Sequence, residues 1–333
     1  LAVDKAEDVM SSYFKKYGIY TLTGKESDRL ALDLMYQEMQ NIYALNSSHR
    51  LYVYKNCVGV FHRLFVSPEH EQNLDSASQQ EPLEDILTKS SEIFNTYAKD
   101  QTYFHINLVF AYLRFEYYTR HRLYRKAEEF YEEVNDSAAS FLGHYTWFTY
   151  PAQFLHTKIE RTLRLGKESR LVEESGALFE NLEYDRENFE HHLSYLCYNA
   201  LACHFAEQHR QATDWINEIL NTPTIKKYPH ALVEVKTLLL IQYTLLREDT
   251  LFNQLVNSIQ RHIRLLGKES CMEAVWIIKI CKTAMSPTKL ERDKKIRALV
   301  NNLGTKSPIL FAPTRYLTFS EDFIQKLCVP ARA

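Results

Sequence analysis

The stretch FAYLRFEYYTRHRLYRKAEEFYEEV, residues 110–134, decides the fold. Its first half is apolar at helical spacing. A polar turn follows at Arg120–Arg122. The second half places Ala127, Tyr131 and Val134 four and seven residues apart, on one helix face. Two helices joined by so short a link must run antiparallel.

The pattern recurs. FLHTKIERTLRLGKESRLVEESGALF spans 154–179, YNALACHFAEQHRQATDWINEIL spans 198–220, and LLLIQYTLLREDTLFNQLVNSI spans 238–259. The four units align on Ala127, Val172, Ala212 and Phe252, at offsets of 45, 40 and 40 residues. Nine residues earlier stand Tyr118, Leu163, Cys203 and Tyr243. A looser fifth unit runs from Met272 to Leu303, with Ile296, Val300 and Leu303 on its face. A two-helix unit cannot bury its apolar face alone, so neighbours must stack on it.

Ahead of the repeat, helices are expected near Asp4–Lys16, Glu26–Leu45, Ser47–Phe65, Leu83–Tyr97 and Thr102–Tyr118. The polar segment Val66–Pro82 reads as a loop. The expected organisation is N-terminal helices and loop over 1–82, repeats over 83–303, and a tail over 304–333 with a capping helix near Ser320–Leu327.

Composition agrees. The 333 residues hold only 8 Gly and 9 Pro, few for a sandwich or an α/β enzyme. A formal net charge of −2 gives no global field to recruit nucleic acid, so none is expected as a partner. The six cysteines form no CxxC pair, and most lie in apolar helical stretches, so buried thiols are expected. No apolar run of about 18 residues occurs, so no membrane insertion is expected. No apolar signal core is found, and the expected location is cytoplasmic.

Tyr118, Ala127 and Tyr131, then Ala200, Ala212, Ile216 and Pro223, resemble the aromatic, alanine and terminal proline positions of the tetratricopeptide repeat family. The resemblance covers residues 100–265. It departs in lacking the family's first-helix Trp and Gly and in a period nearer 40 than ~34. It implies an all-α fold of stacked antiparallel hairpins, a right-handed α-solenoid, similar to uncharacterised bacterial proteins of that type. It also implies a peptide-binding inner surface. Mapped through the anchors, that surface carries Tyr112, Glu116 and Arg120, then Phe154, Arg161 and Arg164, then His204. Arginines beside aromatic faces suit a peptide with acidic groups or a terminal carboxylate.

Chemistry-bearing motifs are weak. Gly-Lys-Glu-Ser occurs at 24–27, 166–169 and 267–270. It fails as a P-loop, because Glu displaces the hydroxyl and no glycine stands five residues before it. A glycine cap ending one helix, with Glu or Ser opening the next, explains it better. Glu187 and His191 share a face, with His192, Cys197, Cys203 and His204 near, but metal sites need three or four convergent ligands. Glu128, Glu129, Glu132 and Glu133 read as a solvated face. No catalytic residue, metal ligand or cofactor is therefore assigned. The expected function is a non-enzymatic protein- or peptide-binding scaffold. A peptide-sensing regulatory module comes second and an enzyme on a helical scaffold last.

Overall fold

The computed structural model describes residues 1–67, 81–97, 100–137, 151–179, 188–286, 292–304 and 307–329. Among them are fifteen α-helices and no strand. They are α1 (Ala2–Thr23), α2 (Glu26–Leu45), α3 (His49–Phe65), α4 (Leu83–Thr96), α5 (Gln101–Arg120), α6 (Tyr124–Asp136), α7 (Pro151–Arg164) and α8 (Leu171–Phe179). Then come α9 (Phe189–Phe205), α10 (His209–Asn221), α11 (Pro229–Leu246), α12 (Asp249–Leu266), α13 (Met272–Met285), α14 (Arg292–Val300) and α15 (Glu321–Cys328). The expected helix over Glu26–Leu45 appears at those bounds, and the first helix runs longer than its expected Asp4–Lys16.

Backbone contacts divide the chain into two compact units. One holds residues 1–20, 25–154 and 178–184, the other 21–24, 155–177 and 185–333. Most of the polar segment 66–82 lies outside the described residues.

The first unit packs aromatic rings edge to face. Tyr17 and Phe61 meet at 4.8 Å and 90°, Phe14 and Phe61 at 5.1 Å and 84°. Such contacts let a ring's positive edge meet another's negative face. α5 packs along α6, whose Ala127, Tyr131 and Val134 are buried while Glu129, Glu132 and Glu133 face solvent.

In the second unit, α9 packs on α10, α10 on α11, and α11 on both α12 and α13. The stripe Phe252, Val256, Ile259 and Ile263 buries one face of α12. α15 closes the far end, where Ile324 and Leu327 join Ile280, Ala284 and Ile296. Ser320 caps it by accepting from the Phe323 amide.

The hairpin turns share one construction. The amide of Leu123 donates to the Tyr118 carbonyl at 2.8 Å, Gln208 to Cys203 at 2.9 Å and Glu248 to Tyr243 at 3.1 Å. One residue in each turn is left-handed: Arg122 (φ 59°), Glu207 (61°) and Arg247 (57°). These are Schellman turns, which satisfy the last carbonyls of the first helix.

The second hairpin makes the same turn, Lys167 to Thr162 at 3.0 Å, with Gly166 left-handed. Its acceptor is Thr162, not Leu163, so the alignment moves by one. The anchor is Leu171, fully buried, while Val172 is partly exposed. The sequence offered two adjacent apolar residues, and only the turn distinguishes them.

The Gly-Lys-Glu-Ser segments behave as caps. Gly24, Gly166 and Gly267 have φ of 59°, 63° and 90°. Glu26, Glu168 and Glu269 each open the next helical segment, α2 or a 3-10 turn.

Candidate functional site

Of the residues mapped to an inner surface, Tyr112, Glu116, Phe154 and His204 are buried within their own units. Tyr112 and Phe154 belong to the core of the first unit, 1% and 0% exposed, and meet edge to face at 6.2 Å. The Tyr112 hydroxyl donates to Glu116, itself buried, at 3.2 Å. Arg120 is exposed and lies over the Phe65 ring at 5.0 Å. Arg161, Arg164 and His204 belong to the second unit, Arg161 half-buried, Arg164 exposed and His204 buried. Two of the three proposed aromatic or arginine groups are thus sealed at their aromatic members. Helical phase placed them on the correct helix but did not show which neighbours cover that face. Tyr145, Trp147, Phe148 and Tyr150, and Glu187 of the suspected metal pair, lie outside the described residues.

One constellation has the form of a catalytic relay. Tyr13 donates to His62 Nδ1 at 3.0 Å, and His62 Nε2 faces Asp33 at 3.1 Å. Tyr36 stacks on the imidazole at 4.7 Å. Tyr13 is 0% exposed, and burial pushes its hydroxyl well above the usual tyrosine value. A nucleophile must meet a substrate, and the Tyr13 hydroxyl meets only core. The network, open to solvent at its Asp33 end, is of the kind that fixes helix register.

The most distinctive arrangement is built around α11. This helix is covered on nearly every side, so its polar side chains need internal partners. Thr237 and Thr244 donate to their own backbone at Val233 and Leu240, both at 2.8 Å. Gln242 accepts from His209 at 3.1 Å, and its amide group lies against His204 Nδ1 at 3.0 Å. Burial, then His209, pushes the His204 pKa down to about 4. Glu234 accepts from the Thr314 hydroxyl at 2.5 Å.

Thr314 belongs to a tail segment, residues 307–319, that crosses the first helices of the hairpins. On α7, His156 Nδ1 and the Tyr316 hydroxyl share a hydrogen bond at 3.0 Å, and Glu160 pairs with Arg315 at 3.2 Å. The Phe311 amide donates to Thr21 at 2.9 Å. A 3-10 turn over Pro313–Tyr316 packs on α11. The short helix expected near Ser320–Leu327 is present as α15.

Between this tail, α11 and α13 lies a cavity of about 630 Å³. Leu303, Ile309, Leu317 and Phe319 supply apolar wall, Glu234 and Glu273 supply carboxylates, and Arg315, which pairs with Glu160, also borders the cavity. Glu234 is only 7% exposed. Burial, with Glu273 adding repulsion, raises its pKa to about 7 against the relief from Thr314. No cation among the described residues forms an ion pair with Glu234. Sequence patterning gave no hint of it, since Glu234 lies in an otherwise apolar helix and its partner is 80 residues away.

No group of three or more His, Cys, Asp or Glu residues suited to a metal occurs among the described residues, and no helix there is long and apolar enough to cross a membrane. Cys57, Cys197, Cys203, Cys271 and Cys281 are buried free thiols, and Cys328 is partly exposed. Comparison with known protein families, curated proteins and solved structures returned no match.

Proposed function

We propose that this chain is a non-enzymatic, tetratricopeptide-like scaffold that holds an extended polypeptide against the first helices of its hairpins. In this reading the stacked hairpins form a right-handed α-solenoid, and Glu234 and Glu273 receive a cationic side chain of the partner. The observation that carries it is the tail: residues 307–317, which include the 3-10 turn at Pro313–Tyr316, already lie across α7 and α11, held by side-chain hydrogen bonds and an ion pair. The adjoining cavity carries two carboxylates against one guanidinium, Arg315, which is already paired with Glu160, and so suits a Lys or Arg side chain. Its apolar wall fits the aliphatic stem, and a carboxylate takes the charged head. This reverses the ligand charge that the arginines of the sequence alignment implied.

The test is selection of displayed peptides on the immobilised chain, with counter-selection on Glu234→Gln and Glu273→Gln. Enriched peptides should carry a basic residue and lose binding to both variants. Recovery of the same peptides on the variants, or of none on the native chain, would sink the assignment.

A further inference from the structure

A second surface of the same unit has the opposite charge. α12 and α13 diverge from the 3-10 turn at Glu269–Cys271, whereas α10 packs directly along α11. The divergence leaves a groove of about 510 Å³. Ile263 of α12 and Val275 and Ile278 of α13 form its apolar floor. Arg264 and Lys268 stand on one rim, Lys279 and Lys282 on the other. No Asp or Glu lines it.

The spacing makes this a designed face rather than scattered charge. Val275, Ile278, Lys279 and Lys282 fall three, four and seven residues apart on α13 and project together, while Ile263 and Arg264 come from the last turn of α12 and Lys268 from the turn that follows it. All four cations are exposed, and among the described residues none is held in an ion pair. Lys279 lies over the Trp276 ring at 3.8 Å, which holds its ammonium at the rim. Four like charges gathered on a chain of net charge −2 repel one another unless an anion joins them.

We infer that this groove docks an acidic segment of a partner protein, one that brings one or two aliphatic side chains to the floor and carboxylates to both rims. A nucleic acid fits less well. The floor is aliphatic, and Trp276, the one aromatic ring beside the rim cations, already carries Lys279 on its face. The acidic face of α6 in a second copy is not suited either, because the apolar residues of that helix are buried in its own unit.

The probe is a fluorescein-labelled amphipathic peptide with leucines on one face and glutamates flanking them. The same peptide with lysines for glutamates and a single-stranded oligonucleotide serve as controls, all read by fluorescence anisotropy. The glutamate peptide should bind, weaken with added salt, and lose about tenfold or more in affinity for the Lys279→Glu/Lys282→Glu variant. Lys279→Arg/Lys282→Arg should retain binding. Circular dichroism of each variant guards against loss of fold. Equal binding of the lysine peptide, unchanged affinity in the charge-reversed variant, tighter binding of the oligonucleotide or no binding at all would each overturn the inference. Glu234→Gln should leave this affinity unchanged, so failure here is separable from failure of the cavity assignment.

Discussion

The guanidinium of Arg247 donates to the carbonyl of Leu327 at 2.6 Å, joining the turn of the fourth hairpin to the C-terminal end of α15. The same side chain reaches the carbonyls of Val329 and Ala284, while Arg292 reaches Cys328 at 3.1 Å. Two cations thus cover the negative end of one short helix. Arg247 holds this position from a left-handed backbone, which disfavours any residue with a Cβ.

That tension gives the first prediction. Arg122 has the same backbone conformation in the first hairpin, but is exposed and forms no such bonds. Arg122→Gly should therefore leave stability unchanged or raise it by up to about 1 kcal/mol. Arg247→Gly should destabilise by about 1–2 kcal/mol, because partly buried carbonyls lose their charged donor. Denaturant titration of both variants measures the difference. Equal effects would show that the guanidinium of Arg247 contributes nothing.

The glycine caps separate in a similar way. A Cβ on Gly24 would come within 2.1 Å of the Pro308 carbonyl oxygen, whereas Gly166 has nothing within 4 Å. Both have positive φ, so both Ala substitutions carry the left-handed cost of about 1–2 kcal/mol. Gly24→Ala should cost more and should loosen the tail. Thermal melting, with limited proteolysis across residues 307–319, tests this.

The third prediction concerns pH. Glu234 has a folded pKa near 7, above the ordinary carboxyl value, so the folded chain holds a proton that the unfolded chain releases. Its contribution is largest below the ordinary carboxyl value and is lost as pH rises toward 7, by an amount of order 2–3 kcal/mol. His204, depressed to about 4, works the other way: stability is lost as pH falls from the ordinary histidine value toward 4. Glu234→Gln should flatten the first trend and leave the second. Urea midpoints between pH 4 and 8 read both, and an unchanged profile in Glu234→Gln would refute the assigned proton.

The helices were largely legible because each carries its own signal. α2 could be bounded from Glu26 to Leu45 by the cap at Gly24 and the apolar period. The hairpin spacing was legible for the first, third and fourth units, where a single small or apolar anchor stands after a polar turn. It slipped in the second, where Leu171 and Val172 are both apolar and the turn bond to Thr162 decides. The candidate site was not legible. Periodicity marks which face of a helix is apolar, not what covers it. Tyr112 and Phe154 fit an inner face by phase and lie in the core. Glu234 owes its character to Thr314, and the basic groove to the divergence of two helices; neither leaves a local pattern.

The tail also imposes an order of assembly. Residues 307–329 are synthesised after every helix they touch, yet they supply Thr314 to Glu234, Tyr316 to His156 and Ile324 to the cluster around Ile280. Until they emerge, the nascent second unit carries a buried-type carboxylate facing water and an apolar end without a lid. Domain-wise folding during translation is thus delayed to the end of this unit. A ribosome paused before Ser307 would present a nearly complete helical array whose tail-covered face is still open to another chain.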